Sequence, residues 1–155
     1  MNKLQPIRLE VIDVPRWIHE YVYINYSKIP EAGLGIFAKT NIEQGTFLGD
    51  YFGEICSTYI NHVYIMSFEN EKVIDASDIL KSNYTRFMNC STCYENENVL
   101  VIKMLNDHLY DNNTKNLKNR IFFYAKREIK KDEELLYYYG DIYAKHLNIT
   151  YKLKN

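Results

Sequence analysis

Tyr137, Tyr138 and Tyr139 follow one another directly, end on Gly140 and are preceded by the acidic pair Glu133 and Glu134. Side chains of an extended chain alternate between its two faces. No single core can therefore take all three rings: Tyr137 and Tyr139 share one side and Tyr138 takes the other. Two phenols on one side, beside a glycine that leaves the backbone free to turn, can build a narrow aromatic slot with polar tips. Such a slot suits a long cationic side chain such as lysine. The same residues also read as an aromatic-rich buried strand, because aromatic rings are common core material. The run by itself leaves both readings open.

Charge and composition narrow the classes. The net charge is −1 and the pI about 6.4. This lacks the basic excess of a dedicated nucleic-acid binder, so no direct nucleic-acid binding is expected, while a basic substrate remains compatible. With 46% apolar and 25% charged residues in 155, the chain reads as one folded domain with a sizeable core. Its longest apolar runs fall far short of a membrane span, and its first residues lack the apolar centre of a secretory signal. No membrane association and an intracellular, reducing location are therefore expected. Three cysteines, an odd number, fit free thiols better than a disulfide framework.

The pattern along the chain predicts many short strands and little helix. Strands are expected at 7–14, 22–26, 36–38, within 46–55 with a bend, at 63–68, 72–75, 99–105 and 121–125. A short helix or irregular segment is expected over 78–87, a long polar hairpin loop over 106–120, and a closing helix over 142–147. The alternation of strand with long helix that marks doubly wound folds is absent.

Three short motifs carry possible chemistry. Gly33-Leu34-Gly35 is a lone Gly-x-Gly, and it lacks the strand-to-long-helix setting of a dinucleotide site. Asn89, between apolar and small residues, offers both a donor and an acceptor, although on this segment alone turn formation is the favoured reading. Cys90-Ser-Thr-Cys93 could be redox-active, or half of a zinc site completed by Cys56, His62 or His108, but no second paired motif accompanies it.

Taken in order, four segments are far more specific. They are Ile29-Pro-Glu-Ala-Gly-Leu-Gly-Ile-Phe-Ala38, Gly49-Asp-Tyr-Phe-Gly-Glu-Ile55, Arg86-Phe-Met-Asn-Cys-Ser91 and Ile121 through Gly140. Together they resemble the ordered motifs of the SET domain, the family of S-adenosylmethionine-dependent protein lysine methyltransferases. The Asn89-Cys90 pair and the ending Tyr139-Gly-Asp-Ile-Tyr-Ala-Lys-His-Leu147 look most like the PR subgroup. The resemblance implies a β-rich α+β fold of several short sheets with a C-terminal pseudoknot, in which the segments around Asn89 and Tyr139 meet. It implies a SET domain over 29–145, an N-terminal strand segment over 1–28 packing on it, and a short tail over 146–155.

It also implies roles. Ala32, Gly33 and Leu34 would contact S-adenosyl-L-methionine through backbone, Asn89 and Cys90 would hold its amino-acid and adenine portions, and Tyr64 is a further cofactor contact. Tyr139 would be the catalytic tyrosine. Tyr137 would set how many methyl groups are added, with mono- or dimethylation expected, and Tyr51 would line the lysine channel. Cys90 stands where most SET domains have histidine, Tyr138 replaces a common aspartate, and no cysteine cluster follows Tyr139. Ile142, Tyr143 and Leu147 would then have to close the channel. The expected activity is lysine methylation of a protein, a histone tail first, in the nucleus, by a monomer or homodimer. The alternative is a PR-like interaction module that has lost turnover.

Overall fold

The computed structural model describes residues 21–56, 63–67, 73–105 and 119–154. The strand expected at 7–14 and most of the loop expected at 106–120 lie outside these residues. Asn119 and Arg120 are already part of a strand.

Among the described residues, ten strands form four small sheets. β1 (Val22–Tyr26) and β2 (Leu34–Ala38) make an antiparallel hairpin, with Val22 opposite Ala38 and Tyr26 opposite Leu34. β3 (Phe47–Asp50) is followed by β4 (Glu54–Cys56), β5 (Ile65–Ser67) and β6 (Val73–Asp75), the last three forming an antiparallel sheet in the order β4-β6-β5. β7 is only Asn89–Cys90. β8 (Val99–Leu105) and β9 (Asn119–Ala125) pair along seven residues each, and β3 adds to the far side of β9. β10 (Leu136–Tyr137) runs parallel to β7, setting Leu136 against Asn89 and Tyr137 against Cys90. The expected meeting of the two motif-bearing segments is this parallel pair.

Sequence explains the central sheet directly. In β9, Ile121, Phe123 and Ala125 are buried, while Phe122 and Tyr124 turn to the other face and pack against Phe47, with ring centroids 5.9 and 5.3 Å apart. This is the period-two pattern of a strand with one face in the core. The bend expected within 46–55 is a register shift between Phe47 and Gly49. The segment 78–87 resolves into two single 3-10 turns, Ile79–Lys81 and Tyr84–Phe87, not an α-helix. Asp78 and Asn83 cap them by accepting from Leu80 N and Thr85 N at 2.9 and 3.1 Å. Side chains of this kind satisfy a turn's free N–H groups but compete with longer helix. The closing helix, α1, spans Asp141–His146.

One core joins these sheets. Ile36, Ile42, Leu48, Tyr84, Met88, Ile121, Phe123, Ile129 and Leu135 are all sealed from solvent, each apolar side chain contributing about 1.5–3 kcal/mol of transfer free energy. Tyr51 and Tyr137 sit at its margin, where the core gives way to a cavity.

Candidate functional site

β10 ends at Tyr137, so the tyrosine run leaves its sheet just where the site begins. The expected alternation holds. Tyr137 and Tyr139 lie side by side with centroids 4.7 Å apart, while Tyr138 points the other way and stacks on Tyr151 at 4.0 Å. Tyr137 also packs on Phe123 at 5.1 Å, and Phe123 meets Tyr51 edge-on at 6.3 Å. Tyr51, Tyr137 and Tyr139 thus converge on one cavity of about 410 Å³, whose wall also includes Ile65, Met66, Arg86, Tyr143 and Leu147.

Hydrogen bonds fix the inner end of this cavity. The Tyr139 hydroxyl donates to Met88 O at 2.7 Å, and Ser91 N donates to Tyr137 O at 2.9 Å. Tyr139 N makes a weaker contact, donating to Cys90 Sγ at 3.5 Å. Interaction between the neighbouring Tyr137 and Tyr139 hydroxyls adds to the rise of the first phenol and offsets part of the rise of the second. Burial is nonetheless the larger effect on both phenols and on Tyr51, and all three are pushed above the ordinary tyrosine value. Burial likewise raises the Cys90 thiol. Every one of these groups is therefore neutral near pH 7, and none is a strong base.

The second half of the site lies across β7. Asn89 Nδ2 donates to Leu34 O at 2.8 Å and to Glu134 Oε1 at 3.2 Å, tying the strand to the Gly-x-Gly turn. Glu134 is 5% exposed. Its carboxylate also accepts from Ser27 Oγ at 2.6 Å and from Lys28 N at 3.0 Å. A buried carboxylate is tolerable only when so paired. Gly35 makes room for it: a Cβ there would sit 2.3 Å from Glu134 Oε1 and 3.2 Å from Asn89 Nδ2. Gly33, at φ +74°, turns the chain in open space.

The structure therefore brings Tyr51, Tyr137 and Tyr139 together at the cavity, and Asn89 to Leu34 beside the turn that carries Ala32 and Gly33. Cys90 joins the two groups through its pairing with Tyr137. Tyr64 does not line the cavity. It lies under the Arg86 guanidinium at 4.0 Å and meets Phe87 edge-on. Of the three residues expected to close the channel, Tyr143 and Leu147 do line it, whereas Ile142 is 87% exposed. Residues four apart share a helix face and the adjacent residue does not, which separates Ile142 from the other two. Among the described residues, no group of three or more His, Cys, Asp or Glu could hold a metal; His62 and His108 lie outside them.

Sequence reasoning missed Glu134, Ser27, Arg86 and Tyr151. It singled out Glu133 and Glu134 only as an acidic pair, and nothing in local pattern matches Glu134 to Gly35. The glycine's position opposite a buried acid becomes visible only in three dimensions.

The comparisons with known proteins agree with this geometry. A family model described as "PR domain zinc finger protein 2, PR domain" matches residues 22–150. The chain is similar to histone-lysine N-methyltransferase set-17 of Caenorhabditis elegans, 29% identical over 127 residues, which covers 78% of this chain and 41% of that protein. It thus spans less than half the length of that curated relative. Among solved structures it resembles the Chaetomium thermophilum polycomb repressive complex 2, with a TM-score of 0.60 and 28% identity over 79% of this chain and 15% of the other. It also resembles that complex in an autoinhibited conformation bound to S-adenosylmethionine, with a TM-score of 0.61 and 27% identity over 83% and 17%. The small-sheet architecture is that of the SET fold, and with a family match running through both halves of the site this chain belongs to the PR-domain family of SET proteins.

Proposed function

We propose that this chain is an S-adenosylmethionine-dependent protein-lysine N-methyltransferase that acts on a histone tail and adds one or two methyl groups. The observation that carries the reading is the convergence of three neutral tyrosines, Tyr51 and Tyr137 buried and Tyr139 half-buried, on one cavity, with the Tyr139 hydroxyl already donating to Met88 O. A hydroxyl whose proton is committed can still accept at its oxygen, so Tyr139 can hold an incoming amine.

The residues of the second half fit the cofactor. The open turn at Gly33 leaves its backbone approachable, and among the described residues no donor reaches Asn89 Oδ1, which leaves an acceptor for an amino group. Ala32, Gly33 and Leu34 would hold the cofactor by backbone, Asn89 and Cys90 from the facing strand, and Tyr64 indirectly through Arg86. S-adenosylmethionine, when bound, supplies a methyl group on an electrophilic sulfonium.

What remains is to deliver a lysine amine that is neutral and aligned. A lysine has an unperturbed pKa of about 10.4. The aromatic walls of Tyr51, Tyr137 and Tyr139 exclude water and disfavour the ammonium, which lowers that value. The proton leaves to solvent, because the phenols are held neutral and accept none. Alignment then contributes most, up to about 7–11 kcal/mol in favourable intramolecular cases. No side-chain base is needed, so cysteine at position 90 is compatible with turnover. A histone substrate would place the protein in a nucleus.

The test is incubation with S-adenosylmethionine and histones, free and in nucleosomes, followed by mass mapping. Methylated lysine is expected. Cofactor binding without transfer to any histone would favour the interaction module instead.

A further inference from the structure

We propose that Tyr151 is a positioning residue for Tyr139, acting through Tyr138, so that the C-terminal segment works as a latch on the methyl-transfer slot. This rests on the lysine methyltransferase reading. β10 stops at Tyr137, and beyond it Tyr139 N makes a long contact to Cys90 Sγ at 3.5 Å. The place of Tyr139 is therefore set largely by side chains, and Tyr138 is the outward half of that fastening.

Tyr138 is held on two sides. Its ring stacks on Tyr151 with centroids 4.0 Å apart and planes 32° from parallel, and its hydroxyl donates to Asp141 Oδ1 at 2.5 Å. Asp141 opens α1, the helix that presents Tyr143 and Leu147 to the cavity. Tyr151 is anchored in turn. Its hydroxyl donates to Glu97 Oε2 at 2.6 Å, and Glu97 is paired with Lys126 at 3.2 Å. The tail backbone clips onto the stretch that follows β7: Lys152 N donates to Thr92 O at 2.9 Å, and Tyr94 N donates to Lys152 O at 3.0 Å.

Thr92 lies just beyond Asn89 and Cys90. The tail thus spans, from outside, the two segments that carry the site: one grip on the continuation of β7, the other on the ring between Tyr137 and Tyr139. A ring wedged against Tyr138 opposes rotation of that peptide, and such rotation would swing the Tyr139 hydroxyl away from Met88 O. Loss of alignment by about 1 Å can cost up to a hundredfold in rate.

Tyr151→Ala and Tyr151→Phe in the full chain test this. We expect Tyr151→Ala to lower kcat about tenfold or more, with the KM for histone peptide and the affinity for S-adenosylmethionine unchanged. Tyr151→Phe keeps the stack and should recover most of the rate. Amide exchange should quicken at Ser91 and Tyr139 in Tyr151→Ala while the β8–β9 amides stay as protected as in the wild type. An unchanged kcat, a Phe variant as impaired as the Ala variant, or faster exchange spread across β8 and β9 would overturn the proposal, the last by making Tyr151 a general stabiliser. If the wild type methylates nothing, the activity reading fails, but the exchange pattern still decides whether the latch holds the tyrosine segment.

Discussion

At the scale of single residues, the hydroxyls of Tyr137 and Tyr139 have different tasks. Tyr139 donates to Met88 O, and its ring packs against that of Tyr137, so both its hydroxyl and its ring are held. In the proposed reaction the Tyr137 hydroxyl would occupy slot volume that a methylated amine would otherwise use. Tyr137→Phe removes that oxygen while keeping the ring on Phe123, so the product should shift toward higher methylation. An unchanged mass distribution of methylated peptide would count against this role. The period-two rule already separated Tyr138 from its neighbours in the sequence, since it depends only on strand geometry. Glu134 was beyond that rule. Its importance comes from Gly35, Asn89, Ser27 and Lys28 meeting around it, a set of long-range contacts that no local pattern encodes. Gly35→Ala would force a Cβ against a carboxylate pinned by three donors, and the Asn89 amide would have to move with it. We expect a chain that still folds but binds S-adenosylmethionine at least about tenfold more weakly, equivalent to about 1.4 kcal/mol. Titration calorimetry measures this directly, and wild-type affinity would remove Glu134 from the site.

At the scale of elements, strands with clear alternation were legible and short capped turns were not. The runs at 99–105 and 121–125 are β-branched and aromatic, and they became the long pair of the central sheet. The segment 78–87 carries Asp78 and Asn83, whose side chains close single turns and halt the helix that its length would allow. The turn leading into β10 depends on another acid. Glu133 accepts from Arg127 at 2.5 Å, Lys130 N at 2.9 Å and Asn98 Nδ2 at 3.1 Å, while Asn98 Oδ1 receives Leu136 N at 2.8 Å. Burial alone would raise the Glu133 pKa, but these donors outweigh it and hold the carboxyl below its usual value. A depressed carboxyl pKa stabilises the fold above the unfolded value, about 4.3, and that contribution is lost as pH falls through the lower folded value. After allowance for solvent screening of this partly exposed pair, Glu133→Gln should cost about 0.5–1.5 kcal/mol at pH 7. The gap between variant and wild-type unfolding free energies should narrow below about pH 4. A gap that persists undiminished to pH 3 would show that the charge is not what matters.

At the scale of the whole molecule, the fold was legible because four motifs keep their order along the chain, and each of them now lies at or beside the site. What sequence order does not specify is how distant segments close the slot. Tyr143 and Leu147 reach the cavity because they share a helix face, and Tyr151 reaches Tyr138 because the tail returns to Thr92. The account of function stands on one claim, that Tyr139 aligns a neutral lysine amine inside this aromatic cavity. Its most direct test is transfer of labelled methyl from S-adenosylmethionine to histones, comparing the wild type with Tyr139→Phe. Loss of the hydroxyl leaves the ring in place, so the variant should fold and bind cofactor as the wild type does. It should lose most of its turnover, by about a hundredfold, or about 2.7 kcal/mol in the barrier. Wild-type turnover in Tyr139→Phe would contradict the account.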